Sequence, residues 1–187
     1  MGLGILIGIV SIVLIMVVVI YNGIITRMNA VERGWANVIT QERQKNKMIP
    51  HLEQVTEQFK QHEMGLQSSI AELRSGLARL QPGTIDTATL QQVEGSTQKL
   101  LQGLTVAVEA YPELKASEIF NNLMREIAEQ QENIGAAIRI FNQNVEDFNN
   151  GIEVFPNSLV NNLLNKKSRV TPFHDSEAEA GFEYKLK

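Results

Sequence analysis

The chain has no cysteine and few aromatic side chains. Its 187 residues include 1 Trp, 3 Tyr and 7 Phe. The lack of cysteine excludes disulfides, zinc sites built from thiolates, and cysteine nucleophiles. The absence of cysteine is compatible with a location on either side of a membrane.

The motifs of common enzymes and cofactor sites are missing. His62-Glu63 begins like a metalloprotease HExxH helix, but Leu66 stands where the second His would be. None of the three His residues follows a Glu at the i, i+3 spacing of bundle di-iron sites. The chain also contains no P-loop, GxSxG or GxGxxG. We therefore expect no metal, no cofactor and no enzymatic activity. An enzyme or small-ligand binder of another kind is the alternative, and it predicts titratable groups that face into the core.

Charge is missing from the start of the chain, where no charged side chain precedes Arg27. Residues 3–20 are almost entirely apolar, and about 20 such residues in a helix cross the hydrocarbon core of a bilayer. A signal peptide would have a basic start and a small-x-small cleavage site, and residues 21–23 do not fit one. The sequence predicts an uncleaved transmembrane anchor over residues 1–26. The residues that mark this span are Leu3, Gly4, Gly8 and Ile20.

Basic residues follow the predicted span and none precedes it. They include Arg27, Arg33 and Arg43. Such a bias predicts that the N-terminus lies outside and the following domain in the cytoplasm. The formal net charge of −4, without a long basic face, argues against a nucleic-acid partner.

Gly4 and Gly8 form a small-xxx-small pair within the predicted span. This spacing lets two helix backbones approach closely, so it favours self-association. The other interpretation is that glycine is simply common in membrane helices.

Apolar residues recur at steps of three and four throughout residues 27–165, which predicts helices. No turn signal follows the span, so we expect its helix to continue, with a kink or a fresh helix start at Pro50. Pro82-Gly83 ends the next helix, Asp86 or Thr87 caps another that reaches Tyr111, and the last long helix covers residues 113–154.

The fold class is therefore all-α, with a single N-terminal span that continues into an elongated antiparallel bundle of three to four long helices. The bundle covers residues 27–165, and a basic cluster with an extended tail follows over 166–187. The predicted core side chains are Trp35, Phe59, Phe120, Ile127, Ile134, Phe141 and Phe148.

Two further patterns leave alternatives open. A short helix after Pro156 places Leu159, Val160, Leu163 and Leu164 on one face, which either closes the end of the bundle or lies on anionic lipid. Asn142 and Asn149 follow Phe141 and Phe148 at a spacing of seven. They either lie on an exposed, tolerant face or bridge to another helix through amide hydrogen bonds.

Several of these motifs together resemble the bacterial LemA family of membrane-anchored helical proteins, over residues 21–164. The resemblance implies a single N-terminal span in the bacterial inner membrane, an outside N-terminus and a cytoplasmic antiparallel helical bundle. It implies no reaction. The motifs that carry it are Tyr21-Asn22, Trp35, Ile49-Pro50-His51-Leu52, His62-Glu63, the EAYPELKA stretch at residues 109–116, Phe141-Asn142, Phe148-Asn149 and Phe155-Pro156.

Two functions fit this architecture. The first is a non-enzymatic structural or interaction protein, tethered to the lipid bilayer and self-associating through anchor and bundle as a scaffold. The second is a monomeric adaptor that presents a helical face to another protein, including another membrane protein. Loops between rigid helices often carry recognition. The turn that we single out for this role comprises Tyr111, Pro112, Glu113, Leu114 and Lys115.

Overall fold

The computed structural model describes residues 2–56, 63–111 and 117–174, and all regular structure in these residues is helical. The all-α prediction is confirmed, with a long apolar N-terminal helix followed by further helices. The helices are α1 (Gly2–Gln44), α2 (Ile49–Thr56), α3 (Glu63–Arg79), α4 (Thr87–Ala110), α5 (Glu118–Glu153) and α6 (Asn157–Val160).

Helix α1 runs through the apolar stretch and beyond it without a break, as the sequence predicts. It ends at Gln44, where a 3₁₀ turn, Lys45–Lys47, precedes α2. Pro50 is the second residue of α2. Its missing N–H is harmless in the first turn of a helix, whereas further along it would remove a hydrogen bond. Of the two expected outcomes at Pro50, the chain adopts the fresh helix start.

Polar side chains define the start of two later helices. Asp86 caps α4, because its carboxylate accepts hydrogen bonds from the N–H (2.9 Å) and the hydroxyl (2.7 Å) of Thr89. Helix α5 begins at Glu118, where the Ser117 hydroxyl accepts from the N–H of Phe120. The predicted start near Glu113 is therefore corrected to Glu118, and residues 112–116 lie outside the described residues.

The chain divides into two compact units. Unit 1 comprises Met1–Gly34 and Ile140–Pro172, and unit 2 comprises Trp35–Arg139 together with Phe173 and His174. Helices α1 and α5 each contribute residues to both units. A π-helical turn, Asn161–Asn165, follows α6 within unit 1.

In unit 1, α1 and α5 pack closely and run antiparallel. The Asn144 carboxamide donates to the Ala30 carbonyl at 3.2 Å. One turn further along α1, Gly34 lies against Phe141. A Cβ atom on Gly34 would lie 3.2 Å from Cα of Phe141, so glycine permits this close approach of the two backbones.

In unit 2, side chains of α1 bind the two residues that directly follow α3. The Trp35 indole N–H donates to the Gln81 carbonyl at 3.0 Å, and the Arg43 guanidinium donates to the Leu80 carbonyl at 2.8 Å. Carbonyl groups directly after the end of a helix have no partner within it. These two bonds therefore fix the end of α3 against α1.

The cores of both units contain aromatic and branched side chains that the sequence analysis assigns to the core. Full burial of each such side chain stabilises the fold by about 1.5–3 kcal/mol. Phe59 lies outside the described residues. The buried members of the predicted set are Trp35, Phe120, Ile127, Ile134, Phe141 and Phe148.

Candidate functional site

The first candidate site is the apolar surface at the start of α1. Among the described residues, α1 is the one helix long and apolar enough to cross a membrane, judged by length and composition. Its most apolar 18-residue stretch has no residue buried within the protein. Leu3, for example, is 72% exposed. An exposed apolar helix of this length is consistent with a membrane anchor.

The change from exposed to buried happens within about one turn of α1. Ile20 is half-buried, whereas Ile24 is completely buried within unit 1. Gly4 and Gly8 lie on the exposed part, and a Cβ atom on either would meet nothing within 4 Å. The face that carries the two glycines is therefore uncovered by the rest of the described chain.

The second candidate site is a buried cluster of charges in the core of unit 2. The Lys45 ammonium lies 2.5 Å from Oε1 of Glu94 and 3.0 Å from Oε2 of Glu42. It also donates to the Thr97 hydroxyl at 3.1 Å, and the Gln131 carboxamide donates to Oε2 of Glu94 at 3.1 Å. All five side chains belong to buried residues.

Burial raises the pKa of Glu42 well above its usual range, and the neighbouring Lys45 offsets this only in part. For Glu94, burial acts in the same direction. The Lys45 ammonium and the hydrogen bonds to Glu94 outweigh it and lower the pKa of Glu94 to about 2. Burial disfavours the charged form of Lys45, but both carboxyl groups outweigh that and raise its pKa.

These directions indicate how charge is divided within the cluster. The raised pKa of Glu42 favours its protonated form, as happens when two carboxyl groups share one site. Glu94 is a carboxylate and Lys45 an ammonium. The cluster is then electroneutral, which is the condition under which ionised groups are tolerated in a core.

The cluster has little room for a ligand. A cavity of about 20 Å³ adjoins Lys45, Thr97 and Gln131, which is space for about one water molecule. A small-ligand binder requires titratable groups that face inward, and this cluster contains such groups. Their charges neutralise one another. In the described residues, no group of three or more His, Cys, Asp or Glu side chains is placed to hold a metal ion.

Sequence reasoning missed this cluster, although two signals point to it. Gln131 is a polar residue in an otherwise apolar seam of α5. Glu94 and Thr97 fall on the buried face of α4 between Val93 and Leu100. Polar residues at core positions of two neighbouring helices are expected to pair.

The proposed recognition turn lies largely outside the described residues. Tyr111 is half-buried and ends α4, with its backbone N–H donating to the Ala107 carbonyl at 2.9 Å. The members of the turn that the structure does not describe are Pro112, Glu113, Leu114 and Lys115.

Asn149 is buried and holds an extended segment rather than another helix. Its carboxamide donates to the Val170 carbonyl at 2.8 Å and accepts from the Val170 N–H at 2.9 Å. The helix-bridging prediction is therefore wrong for Asn149, because its carboxamide pairs with the backbone of Val170, which lies outside any helix. Asn144 makes the bond between helices instead. Asn142 is half-buried.

The short helix after Pro156 does not bury the face assigned to it. Leu159, Leu163 and Leu164 are exposed, and Val160 alone of the four is buried. The expectation that this face closes the bundle is wrong. Asn161 is buried in its place, because its carboxamide pairs with both backbone groups of Lys167 at 2.9 and 3.0 Å.

Comparison with known proteins identifies one family. The family model described as the LemA family matches residues 34–181. A relative from Metamycoplasma hominis named Protein LemA is 29% identical over 121 residues, which is 65% of this chain and 53% of the relative. The chain thus spans about half the length of this curated relative. No solved structure matches the chain. Since the family match covers most of the sequence, the chain belongs to the LemA family.

Proposed function

We propose that this chain is a membrane-tethered, non-enzymatic structural or interaction protein with α1 as its single span. The observation that carries the proposal is the change of environment along one unbroken helix. The first part of α1 is apolar and exposed, and the part from Ile24 onward packs into protein. A bilayer around the first part supplies the missing apolar environment.

The charges around the span support an N-terminus outside and the helical units in the cytoplasm of a bacterium, at its inner membrane. All basic residues near the span follow it, beginning with Arg27. The chain has no native cysteine, so one introduced cysteine gives an unambiguous label. Gly2→Cys tests the N-terminal side, and Ser75→Cys tests an exposed position on α3.

In intact cells, a membrane-impermeant maleimide is expected to label Gly2→Cys, and to label Ser75→Cys only after the membrane is permeabilised. The reverse pattern would contradict the orientation. Release of both variants from membranes by alkaline extraction would contradict the span itself.

The open face at Gly4 and Gly8 supports self-association through the anchor. The test is the particle mass of the full-length chain in detergent, compared with Gly4→Leu combined with Gly8→Leu. We expect a discrete oligomer that the double substitution dissociates. Ile5→Leu combined with Ile9→Leu is the matched control at the same depth, and it is expected to leave the mass unchanged.

If the oligomer persists after the glycine substitutions, the contacts between copies lie in the helical units and not in the anchor. A monomer with the natural sequence would contradict self-association. It would favour the second candidate, a monomeric adaptor that presents a helical face to another protein.

The internal compensation of the buried cluster supports a non-enzymatic role. Catalytic acids and bases need contact with a substrate. Lys45 and Glu94 instead contact each other, beside a cavity of about 20 Å³. We therefore assign the cluster to the specificity of the fold.

A further inference from the structure

Outside α1, exposed apolar side chains concentrate in one short segment of unit 1. Among the described residues that follow α1, eight large apolar side chains are exposed, and five of them lie within residues 154–164. Single exposed apolar residues are normal, whereas a cluster marks a contact surface. We call this cluster the apolar turn. Its members are Val154, Phe155, Leu159, Leu163 and Leu164.

The apolar turn has a defined fold that directs these side chains outward. Phe155, Leu159 and Leu163 are spaced by four residues, and Phe155 and Leu163 are 79% and 73% exposed. Hydrogen bonds from asparagine side chains hold the backbone. The Asn157 carboxamide donates to the Gly151 carbonyl at 2.9 Å, and Asn161 pairs with Lys167. The exposure therefore belongs to the folded unit.

Contacts with α1 place the apolar turn at the end of the apolar run. Before the turn, Gly151 lies against Arg27, where a Cβ atom would be 2.7 Å from Cδ of the arginine. After it, the Asn165 carboxamide donates to the Tyr21 carbonyl at 3.3 Å. Tyr21 is six residues nearer to the apolar run than Arg27, which is about 9 Å along the helix. The chain thus approaches the membrane-spanning part of α1 as it passes through the turn.

The charge around the apolar turn suits an anionic lipid surface. Residues 154–174 contain no Asp or Glu, and Lys166 directly follows the π-helical turn with an exposed side chain. The nearest acidic side chain before it, Glu153, pairs with Arg169 at 2.8 Å. Basic residues beside an apolar face favour the boundary between headgroups and acyl chains.

We propose that the apolar turn is a second membrane contact, which inserts Phe155, Leu159 and Leu163 into the interface of the bilayer that α1 spans. The occupant is lipid, because the apolar turn adjoins the lipid-exposed surface of α1 within the same unit. This inference rests on the anchoring proposed above.

The test measures the depth of single labels on the full-length chain in vesicles made of equal parts phosphatidylcholine and phosphatidylglycerol. Leu159→Cys and Leu163→Cys, each carrying an environment-sensitive fluorophore, report on the apolar turn. Ile12→Cys reports on the span. Ile140→Cys is the matched control, since it is an exposed apolar residue of unit 1 beside Phe141, far along α5 from the turn. Quenching is measured with lipids that carry a nitroxide near the headgroup or at the end of the acyl chain.

Interfacial segments bury their apolar face about 5–10 Å into this boundary, so we expect headgroup-level quenching at Leu159 and Leu163 about twofold or more stronger than at Ile140. The label at Ile12 is expected to respond most to the nitroxide at the acyl-chain end. Two different positions in the turn guard against a local effect of one substitution.

The outcomes separate the two proposals. Quenching at Ile12 without quenching at Leu159 and Leu163 would overturn the second contact and leave the anchor in place. Blue-shifted but unquenched labels at Leu159 and Leu163 would mean that protein covers the turn, which also overturns the inference. No quenching at any position would overturn the anchor together with the inference.

Discussion

The ammonium of Lys45 lies 2.5 Å from Oε1 of Glu94 in the core of unit 2. The two residues are 49 positions apart and join α4 to the turn that ends α1. Both residues are buried, so each charge is stabilised by the opposite charge of its partner and not by water.

Removal of the ammonium is expected to destabilise unit 2 strongly. Lys45→Met leaves the Glu94 carboxylate buried without its counter-charge, and such changes cost about 3–5 kcal/mol. The free energy of unfolding, measured with denaturant and followed by circular dichroism, checks this. Lys47→Met, at an exposed position two residues away, is the control and is expected to change stability by no more than about 0.5 kcal/mol. Addition of Glu94→Gln to Lys45→Met is expected to restore part of the loss, and further loss would contradict the compensation.

The buried carboxyl groups predict a stability maximum near pH 4.5. The folded-state pKa of Glu94, about 2, lies below its ordinary value of 4.5, so its stabilisation is present above pH 4.5 and is lost as the pH falls towards 2. The pKa of Glu42 is raised, so its stabilisation is complete below pH 4.5 and is lost as the pH rises through its folded-state pKa.

Glu42→Gln isolates the second effect, because glutamine keeps the shape and donor of the protonated acid. Relative to this variant, the natural chain should lose up to about 1.4 kcal/mol per pH unit above pH 4.5, until Glu42 ionises in the folded state. Denaturant unfolding at a series of pH values measures the difference. Parallel pH profiles for the two proteins would show that Glu42 ionises normally.

Asn149 is expected to fix the extended segment that follows the π-helical turn. Asn149→Ala removes both hydrogen bonds to Val170 and leaves the N–H and carbonyl of Val170 without this partner. We expect the free energy of unfolding to fall by about 1–3 kcal/mol. Amide hydrogen exchange at Val170 should accelerate. Asn149→Asp keeps the acceptor for the Val170 N–H and should retain more protection than alanine. Asn150→Ala, at the neighbouring exposed position, should leave the exchange rate unchanged.

Replacement of glycine by alanine is expected to change stability in opposite directions at two positions in the helices. Gly34→Ala places a Cβ atom 3.2 Å from backbone atom Cα of Phe141, which cannot move aside cheaply, so we expect a loss of about 1–3 kcal/mol. Gly95→Ala places its Cβ in open space within α4 and should stabilise the fold by about 0.5–1 kcal/mol. Thermal unfolding of both variants measures the contrast. Equal effects would contradict the close contact at Gly34.

The sequence predicts most of the architecture because helix periodicity and punctuation are local. The uninterrupted α1, the cap at Asp86 and the buried Trp35 follow from apolar spacing and capping chemistry alone. The division into two units does not, because it depends on which segments of α1 and α5 pack together.

The site was less predictable for a physical reason. Glu42 and Lys45 look like residues of a solvated helix face until α4 brings Glu94 against them. The exposure of Leu159 and Leu163 depends on the π-helical turn and on the buried Asn161. The spacing of apolar residues predicts neither feature.

The continuity of α1 also limits the reach of unit 1. Ile24, which is fully buried, lies only four positions after Ile20 at the end of the apolar run, a rise of about 6 Å along the helix. A flexible linker would let a tethered domain explore a volume that grows with linker length. This helix provides no such volume. With a bilayer around the apolar run, unit 1 would stay at the headgroups, so any protein that binds it would have to do so at the membrane surface.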